Sequence, residues 1–418
     1  MLLAIGCLLS AVYAGLSGNY TIKPDGTGDF VSLYLAGEAL TDSGISGDCV
    51  FEVFGDTLDA TCDARYVAGS DSWTTTFVPG AGETPVLTGG GFRAIDFGHV
   101  RLRDLHFFLA RVVADNSDGW RISGCRFTVS YIGLELSSCY YDTIDGNRFD
   151  LVPTGGIHGP AITTTGNDNV IFNNLVNCEA AEVDCLIDLD HTRNARVLFN
   201  TIRLSPLNVN YCKCIGMCGR DPNEVRNNVI VLARPAGTLD ACVSFFFTQT
   251  LDSAVLNGNC CFVESLGSVG AWHTDDSLIW YDWDEWRGAG FEANGLNADP
   301  KLVSATDLHL RQGSPCIGAA APIPGIDFDI DGDPRDPVHP DIGADEYTGG
   351  AVEENLKPQV SSRQLQPTLV RVLPPGAVAF DAMGRRVTSV KPGVYFVGEG
   401  SGAGGQGSGR IRKVVIQR

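Results

Sequence analysis

The 418-residue sequence is short of positive charge. It has 30 lysines and arginines against 50 aspartates and glutamates, which gives a formal net charge of −20 at pH 7. Nucleic-acid binding needs a basic surface, so this composition argues against a nucleic-acid partner. A polyanionic sugar would likewise need a local basic patch or a bridging cation. Residues 367–418 depart from the rest with eight basic and two acidic side chains, which predicts two units with different roles.

An apolar run long enough to cross a bilayer, about 20 residues, is also missing. The chain begins with the uncharged, largely apolar stretch MLLAIGCLLSAVYA, which ends in a small residue. A stretch of this kind is typical of the hydrophobic and cleavage regions of a secretory signal. We therefore expect residues 1–14 to be a signal peptide, no transmembrane segment, and a protein that is secreted or held on the outer cell surface.

The cysteine count gives no complete disulfide framework. Export permits disulfides, but removal of Cys7 with the signal peptide leaves thirteen cysteines, so at least one is unpaired within the chain. The close spacing of the three cysteines in CKCIGMC (Cys212, Cys214, Cys218) suggests a metal-binding knuckle. No second Cys/His pair follows at the spacing of a structural zinc site, which favours cysteines that stack inside a β-rich core or bridge there.

The middle of the chain lacks the periodicity of an amphipathic helix and repeats a short pattern instead. In each instance an apolar residue is followed by Cys or Asn, and another apolar residue comes two positions later. The Cys/Asn positions are Cys125, Asn147, Asn173, Asn200, Asn227 and Asn259, separated by 22, 26, 27, 27 and 32 residues.

A repeat of this length, built of short strands and turns, predicts a solenoid whose stacked coils share one core. A β-sandwich with chance Asn turns is the alternative, but it does not explain the regular spacing. We therefore predict that residues 15–347 form a right-handed parallel β-helix, with the repeated amides bonding from coil to coil.

The ends of this region carry a family resemblance. The opening GNYTIKPDGTGDFVSLYLAGEAL (18–40), the closing EANGLNADPKLVSATDLHLRQGSPCIGAA, and the later DIDGDPRDP and PDIGADEY resemble segments of secreted pectin-lyase-like β-helix proteins. The resemblance implies a capping helix on the first coil and an extracellular polysaccharide as the partner. It does not fix an activity, because one fold serves many functions. The active-site motif of pectin methylesterases has no counterpart in the repeat region.

A second resemblance concerns the C-terminus. The stretch VAFDAMGRRVTSVKPGVYFV (378–397), followed by RKVVIQR, resembles the sorting domain of proteins exported by the type IX secretion route. The matching motifs are the D-x-x-G-R turn, the P-G-x-Y hairpin and the K-V-V strand. The resemblance implies a small β-sandwich at 367–418 that the secretion machinery recognises. The polar residues 348–366 have the composition of a linker.

A cluster of ionisable residues in CLIDLDHTRNAR is the candidate catalytic site. Asp188 and Asp190 are two positions apart, so in a strand they point to the same face. With His191 or Arg193 as the group that handles a proton or stabilises charge, this pair could act on a polysaccharide. The alternative is a solvated face that passes into a turn.

Aromatic residues in IWYDWDEWRGAGF suggest a carbohydrate-binding strip made of Trp280, Trp283 and Trp286. Exposed Trp rings form platforms for sugar rings. The alternative is structural, because large aromatic side chains commonly serve burial first. In that case the segment covers the last coil.

The Asp-rich stretch IDFDIDGDPRDP matches the first half of a calcium loop. The candidate ligands are Asp327, Asp329, Asp331 and Asp333, but Val338 occupies the twelfth position, where an EF-hand has a bidentate Glu. The alternative is a segment that folds back over the final coils. Pro334 then stops further strand pairing, and Arg335 neutralises part of the acidic charge.

Together these features predict a secreted or cell-surface β-helix protein that binds or acts on extracellular polysaccharide. If it is an enzyme, it is a polysaccharide lyase or a glycoside hydrolase. The alternative is a non-enzymatic adhesin or structural protein. Calcium is the one cofactor that the sequence suggests.

Overall fold

A computed structural model describes most of the chain up to residue 349. The described ranges are 15–129, 132–152, 157–179, 182–183, 185–205, 212–218, 222–233, 240–246, 254–264, 268–273 and 277–349, with five further strands in the C-terminal region. Contacts divide the chain into two units, Met1–Gly349 and Gly350–Arg418. The proposed signal peptide (1–14) and nearly all of the proposed linker lie outside the described residues.

The first unit is built from three long sheets, named A, B and C in the order in which each coil supplies their strands. Sheet A contains Leu16–Ile22, Ile45–Val53, Thr75–Pro79, Val100–Arg103, Arg121–Ser123, Thr143–Asp145, Val170–Phe172, Arg196–Leu198, Glu224–Arg226 and Val255–Asn257. Sheet B contains Thr57–Asp59, Val86–Thr88, His106–Phe108, Arg126–Val129, Arg148–Leu151, Leu175–Glu179, Thr201–Ser205, Val229–Leu232 and Cys260–Val263. Sheet C contains Cys62–Arg65, Gly91–Ile95, Arg111–Asp115, Leu134–Ser137, Ile162–Thr164, Cys185–Asp190, Lys213–Cys218, Ala241–Phe246, Ser268–His273 and Leu278–Tyr281.

Each strand of these sheets pairs with its counterpart one coil away, and the pairing is parallel except for the last strand of sheet C, which is antiparallel. The predicted parallel β-helix is therefore confirmed. A small two-stranded sheet, Ile157–His158 with Glu182–Val183, also joins two neighbouring coils.

Two helices lie in the first unit, Leu33–Ser43 and Trp283–Gly288. The Ser32 side chain caps the first helix by accepting a hydrogen bond from Leu35 N (3.3 Å), and Leu33, Ala36 and Leu40 bury its inner side. This is the capping helix that the resemblance implied for the first coil. No helix among the described residues is long and apolar enough to cross a membrane.

The core is formed by inward side chains that stack on their register partners in the next coil. In sheet A one such row is Phe51, Phe77, Leu102, Ile122, Ile144, Ile171, Val197, Val225 and Leu256, and all are buried. In sheet B, Phe127 and Phe149 stack with ring centroids 4.6 Å apart. The short apolar–polar alternation of the sequence therefore fills one continuous interior.

An amide ladder runs along the turn between sheets A and B, but two of the residues predicted for it are shifted by one position. Its members are Cys125, Asn147, Asn174, Asn200, Asn228, Asn259 and Glu292. In "FNN" and "RNN" the first Asn has a positive φ, 53° at Asn173 and 57° at Asn227. That conformation, which Asn tolerates better than most residues, turns the first Asn outward and leaves the second one inside the ladder.

The carboxylate of Glu292 ends this ladder. It is buried and accepts hydrogen bonds from Asn259 N (3.0 Å) and Nδ2 (2.6 Å). Burial raises the pKa of this carboxyl to about 7, although its bonds to Asn259 act in the opposite direction. The last coil therefore ends on an acid whose charge is only partly compensated.

None of the thirteen described cysteines forms a disulfide. Twelve of them are buried, and Cys218 is the partly exposed exception. The prediction that at least one cysteine is unpaired is confirmed, and interior stacking is the arrangement adopted. Cys212 and Cys214 belong to the core, so the CKCIGMC stretch does not fold as a metal knuckle.

The C-terminal unit contains a five-stranded sheet. Its strands are Thr368–Val370, Val378–Phe380, Arg386–Val387, Gly393–Gly398 and Ile411–Ile416. One pair is parallel and the other three pairs are antiparallel. The all-β character expected for this module is confirmed. The predicted β-sandwich requires two packed sheets, whereas the described strands form a single sheet, so the sandwich stays a prediction.

Candidate functional site

The outer surface of sheet C carries a row of exposed or partly exposed residues, one from each of six neighbouring strands, that are register partners. We call this row the sheet C face, and its members are Asp63, Arg93, Val113, Glu135, Thr163 and Asp188. Successive residues of a strand point to opposite sides, and the residues that flank each member are buried in all six strands, so the row faces outward. Five of its six side chains are polar, which makes it a surface suited to a polar ligand.

Asp188 and Asp190 both point outward from the strand Cys185–Asp190, as the sequence predicted. The residues on either side of Asp188, Ile187 and Leu189, are fully buried. The two aspartates therefore share the outer surface of sheet C, and their Cα atoms lie about 6.6 Å apart along the strand.

His191 follows directly and forms a close pair with Asp190. Its Nδ1 lies 2.6 Å from Asp190 Oδ1, and its side chain is 76% exposed. Because a carboxylate accepts the hydrogen bond, Nδ1 carries the proton of the neutral ring and Nε2 keeps its lone pair. The pair thus presents a basic nitrogen to solvent.

The backbone fixes the direction of His191. Its φ is 52°, and its N–H donates to the carbonyl oxygen of Cys218 on the next coil at 2.6 Å. Arg193 is exposed in the same turn, and its backbone pairs with that of Asn167 in a single parallel β-bridge. Among the predicted catalytic residues, Asp188 and Asp190 thus lie on an interior strand of sheet C. His191 follows the end of that strand, and Arg193 lies in the turn beyond.

Cys218, which the sequence prediction did not place here, completes this group. Asp190 and Cys218 are register partners, and ligand atoms of Asp190, His191 and Cys218 lie within 4.8 Å of one another. Burial, together with the nearby carboxylate of Asp190, raises the pKa of the Cys218 thiol. Only the register between two coils brings this cysteine to the site.

The structure divides the predicted Trp strip. Trp286 is fully buried and packs on Phe291 and Phe245 at the end of the helix interior, with ring centroids 4.5 Å and 5.8 Å apart. It therefore offers no surface to a sugar, and the capping alternative is correct for this residue. Trp280 and Trp283 are partly exposed, and Trp280 lies on the antiparallel edge strand of sheet C.

The predicted calcium ligands belong to a segment (residues 299–347, the closing segment) that packs on the turn between sheets A and B. Asp329 is buried and accepts three backbone hydrogen bonds, from Asp331 N (3.0 Å), Asp333 N (2.8 Å) and Glu346 N (2.9 Å). Its carboxylate thus organises a turn. Asp327 is exposed, and its carbonyl oxygen accepts from Arg335 N.

Asp331 pairs with a histidine that the sequence prediction overlooked. His309 Nε2 lies 3.0 Å from Asp331 Oδ2, and its Nδ1 bonds Asp307. The hydrogen bond with Asp331 is the main cause that raises the pKa of His309 to about 10, against an opposing effect of burial. A protonated imidazole therefore compensates part of the negative charge of these carboxylates, which is the role that a metal ion would otherwise have. Calcium binding by Asp327, Asp329, Asp331 and Asp333 remains a prediction.

Arg335 fastens the closing segment to the β-helix. Its buried guanidinium donates to Asn173 Oδ1 (2.9 Å), Gly343 O (2.9 Å) and Glu346 Oε2 (3.3 Å) and lies 4.2 Å from the centre of the Phe199 ring. Two further bonds, from Asn227 Nδ2 to Ala321 O (2.7 Å) and from Ala344 N to Thr201 Oγ1 (3.0 Å), join the same surfaces. The closing segment is therefore a structural clasp.

No family model matches the chain, and no curated protein matches it. Among solved structures, pectate lyase Pel9A is similar at 12% identity and a TM-score of 0.42, over 80% of this chain and 97% of that chain. Alginate lyase from Paenibacillus sp. str. FPU-7 is similar at 12% identity and 0.39, over 61% and 97%. A mannuronic acid specific polysaccharide family 6 lyase from human gut microbiota is similar at 12% and 0.29, over 68% and 92%. At these values the similarities assign neither a family nor an activity to this chain.

Proposed function

We propose that the protein binds an extended polysaccharide along the sheet C face and that Asp188, Asp190 and His191 act on it. The observation that carries this proposal is the Asp190–His191 pair, 2.6 Å apart at the C-terminal end of the strand Cys185–Asp190 of sheet C. Neighbouring strands lie about 4.8 Å apart, close to the length of one sugar residue in an extended chain. Successive coils thus offer successive polar side chains to successive sugars.

The pair has the form of a general base with an orienting carboxylate. Asp190 holds the Nδ1–H tautomer, so Nε2 of His191 accepts a proton from water in a hydrolysis or from carbon in a β-elimination. Asp190 would also stabilise the imidazolium that forms. Asp188 lies beside the pair as the second acid–base group.

Asp188 and Asp190 can also present two carboxylates to one ligand, because alternation along the strand places both side chains on the outer surface of sheet C. Glu135, two strands away from Asp188 in the same row, supplies a further carboxylate to a bound chain.

We expect the wild-type protein to shorten at least one member of a panel of neutral and uronate polysaccharides. His191→Gln removes the base, and since a general base contributes about 10²–10⁴-fold, we expect a rate loss of at least about 100-fold. Reducing-end assays measure either reaction, and ultraviolet absorbance of an unsaturated product marks elimination alone.

The matched control is His339→Gln, because His339 is an exposed histidine of the closing segment, away from the pair. It should cleave at the wild-type rate. If the His191→Gln variant were as active as this control, the Asp190–His191 pair would have no part in the reaction. Polysaccharide binding without any product would instead favour the adhesin function.

We also propose that the C-terminal unit directs export through the type IX route and keeps the protein at the outer cell surface. The support is the resemblance of residues 378–397 to sorting domains and the unit boundary at Gly349–Gly350. Deletion of residues 367–418 should leave the truncated protein in the periplasm, as measured by cell fractionation and surface protease treatment. Normal surface display of the truncated chain would contradict the proposal.

A further inference from the structure

We propose that Asp190, His191 and Cys218 form a binding site for a transition-metal ion of the zinc class. The site overlaps the proposed reaction centre, and a catalytic role for the ion rests on the function proposed above. Binding itself depends only on the three side chains and is tested without a polysaccharide.

The backbone places the three ligands together before any ion binds. Asp190 and Cys218 occupy matched positions at the ends of neighbouring strands. His191 is turned by its positive φ of 52°, and its N–H is bonded to Cys218 O at 2.6 Å. Because the register holds both chain segments, little conformational freedom is left to lose when an ion binds.

The distances are close to those of a tetrahedral site. The three candidate ligand atoms lie within 4.8 Å of one another. Bonds of about 2.0–2.3 Å at tetrahedral angles place ligand atoms about 3.3–3.8 Å apart. Asp190 Oδ1 and His191 Nδ1 must therefore open from 2.6 Å, whereas Cys218 Sγ, which lies within 4.8 Å of the other ligand atoms, needs at most a small approach. Small rotations of partly exposed side chains achieve both movements.

The ligand types select the class of ion. Calcium and magnesium prefer oxygen ligands, whereas thiolate and imidazole favour zinc and related metals. Three protein ligands leave a fourth position for water, as in catalytic rather than structural zinc sites. On binding, the ion replaces the thiol proton of Cys218, which leaves to solvent, and coordination through Nδ1 moves the single imidazole proton of His191 to Nε2, so that the ring stays neutral.

The other ionisable cluster within the described part of the chain is a weaker candidate. It consists of His309, Asp331 and Asp345 and has no sulfur ligand. There His309 already pairs with Asp331 and Asp307. Both imidazole nitrogens of His309 are thus engaged in ion pairs, whereas His191 pairs with Asp190 through Nδ1.

The first test uses alkylation of the full-length folded protein that carries Cys7→Ser, because Cys7 lies outside the described residues. Twelve of the thirteen described cysteines are buried, so iodoacetamide should modify Cys218 first, as located by peptide mass spectrometry. One equivalent of Zn²⁺ should slow this modification at least about 10-fold. The buried cysteines act as internal controls for unfolding, and Co²⁺ should give thiolate charge-transfer absorption. Alkylation of Cys218 that is indifferent to Zn²⁺, with no such absorption, would overturn the proposal.

The second test compares ligand variants by calorimetric titration with Zn²⁺. Loss of even an outer-shell partner costs about 10–100-fold in metal affinity, so His191→Ala and Cys218→Ser should each lose at least that much. His339→Ala should bind as the wild type does. Equal affinity of His191→Ala and His339→Ala would refute the site. Zinc binding in a protein that converts no polysaccharide would contradict the proposed function and leave this site standing.

Discussion

Replacing Asn200 with alanine should destabilise the β-helix by about 3–5 kcal/mol, because it removes a buried amide that makes five side-chain hydrogen bonds, one of them to Asn228 Oδ1 (3.0 Å). Asn200 Nδ2 donates to Ile171 O (2.9 Å) and Leu198 O (3.0 Å). Its Oδ1 accepts from Asn174 N (3.0 Å) and Asn174 Nδ2 (2.9 Å). An unsatisfied buried donor or acceptor costs about 1–3 kcal/mol, and partial relaxation reduces the sum.

Chemical unfolding followed by circular dichroism measures this loss. The matched control is Asn19→Ala, since Asn19 is exposed on the first strand, and surface substitutions usually stay within about 0.5 kcal/mol. If the two variants were equally stable, the amide ladder would not hold the coils together.

Arg335→Met should release the closing segment and cost about 3–5 kcal/mol, as expected when one partner of a buried ion pair is removed. The change keeps the length of the side chain but removes the bonds to Asn173, Gly343 and Glu346. Glu346 is itself buried and keeps only the backbone donors Asp336 N and Asp341 N. An uncompensated carboxylate then remains in the clasp.

Thermal unfolding and limited proteolysis measure this effect. Arg311→Met is the matched control, because Arg311 lies exposed in the same closing segment. We expect rapid cleavage within residues 299–347 of Arg335→Met and wild-type resistance in the control. If the closing segment resisted proteolysis equally in both variants, Arg335 would not be the residue that holds it on the β-helix.

The architecture could be predicted from the sequence because the repeat encodes both the coil length and the polar turn. The exact ladder could not be predicted, since "NN" pairs offer two candidates and only the backbone conformation decides between them. Asn173 and Asn227 adopt the positive φ, so Asn174 and Asn228 enter the ladder. Spacing alone cannot resolve a shift of one residue.

The candidate site was predictable to the extent that it is local. Alternation along one strand places Asp188 and Asp190 on one surface, and His191 is their neighbour in sequence. Cys218 is 28 residues from Asp190 and reaches the site only through the register of two strands. His309 joins Asp331 for a similar reason, since both lie in a segment without regular secondary structure.

The remaining differences concern burial. Trp286 was predicted to bind sugar as one of three aromatic residues, yet Gly270 on the facing strand leaves room for its ring inside the last coil. Asp329 remains a predicted metal ligand, but the three backbone amides that donate to its carboxylate were not expected from the sequence. Neither the missing Cβ opposite a ring nor a set of backbone donors is visible in a sequence pattern.

The central claim is that the protein binds polysaccharide along the sheet C face. Carbodiimide labelling of carboxylates, with and without a saturating polysaccharide that the protein binds, tests it most directly. We predict protection of Asp63, Glu135 and Asp188 and unchanged labelling of Asp56 and Asp104, exposed acids at the turns between sheets A and B. Protection of Asp56 and Asp104 with full labelling of Glu135 and Asp188 would contradict the account.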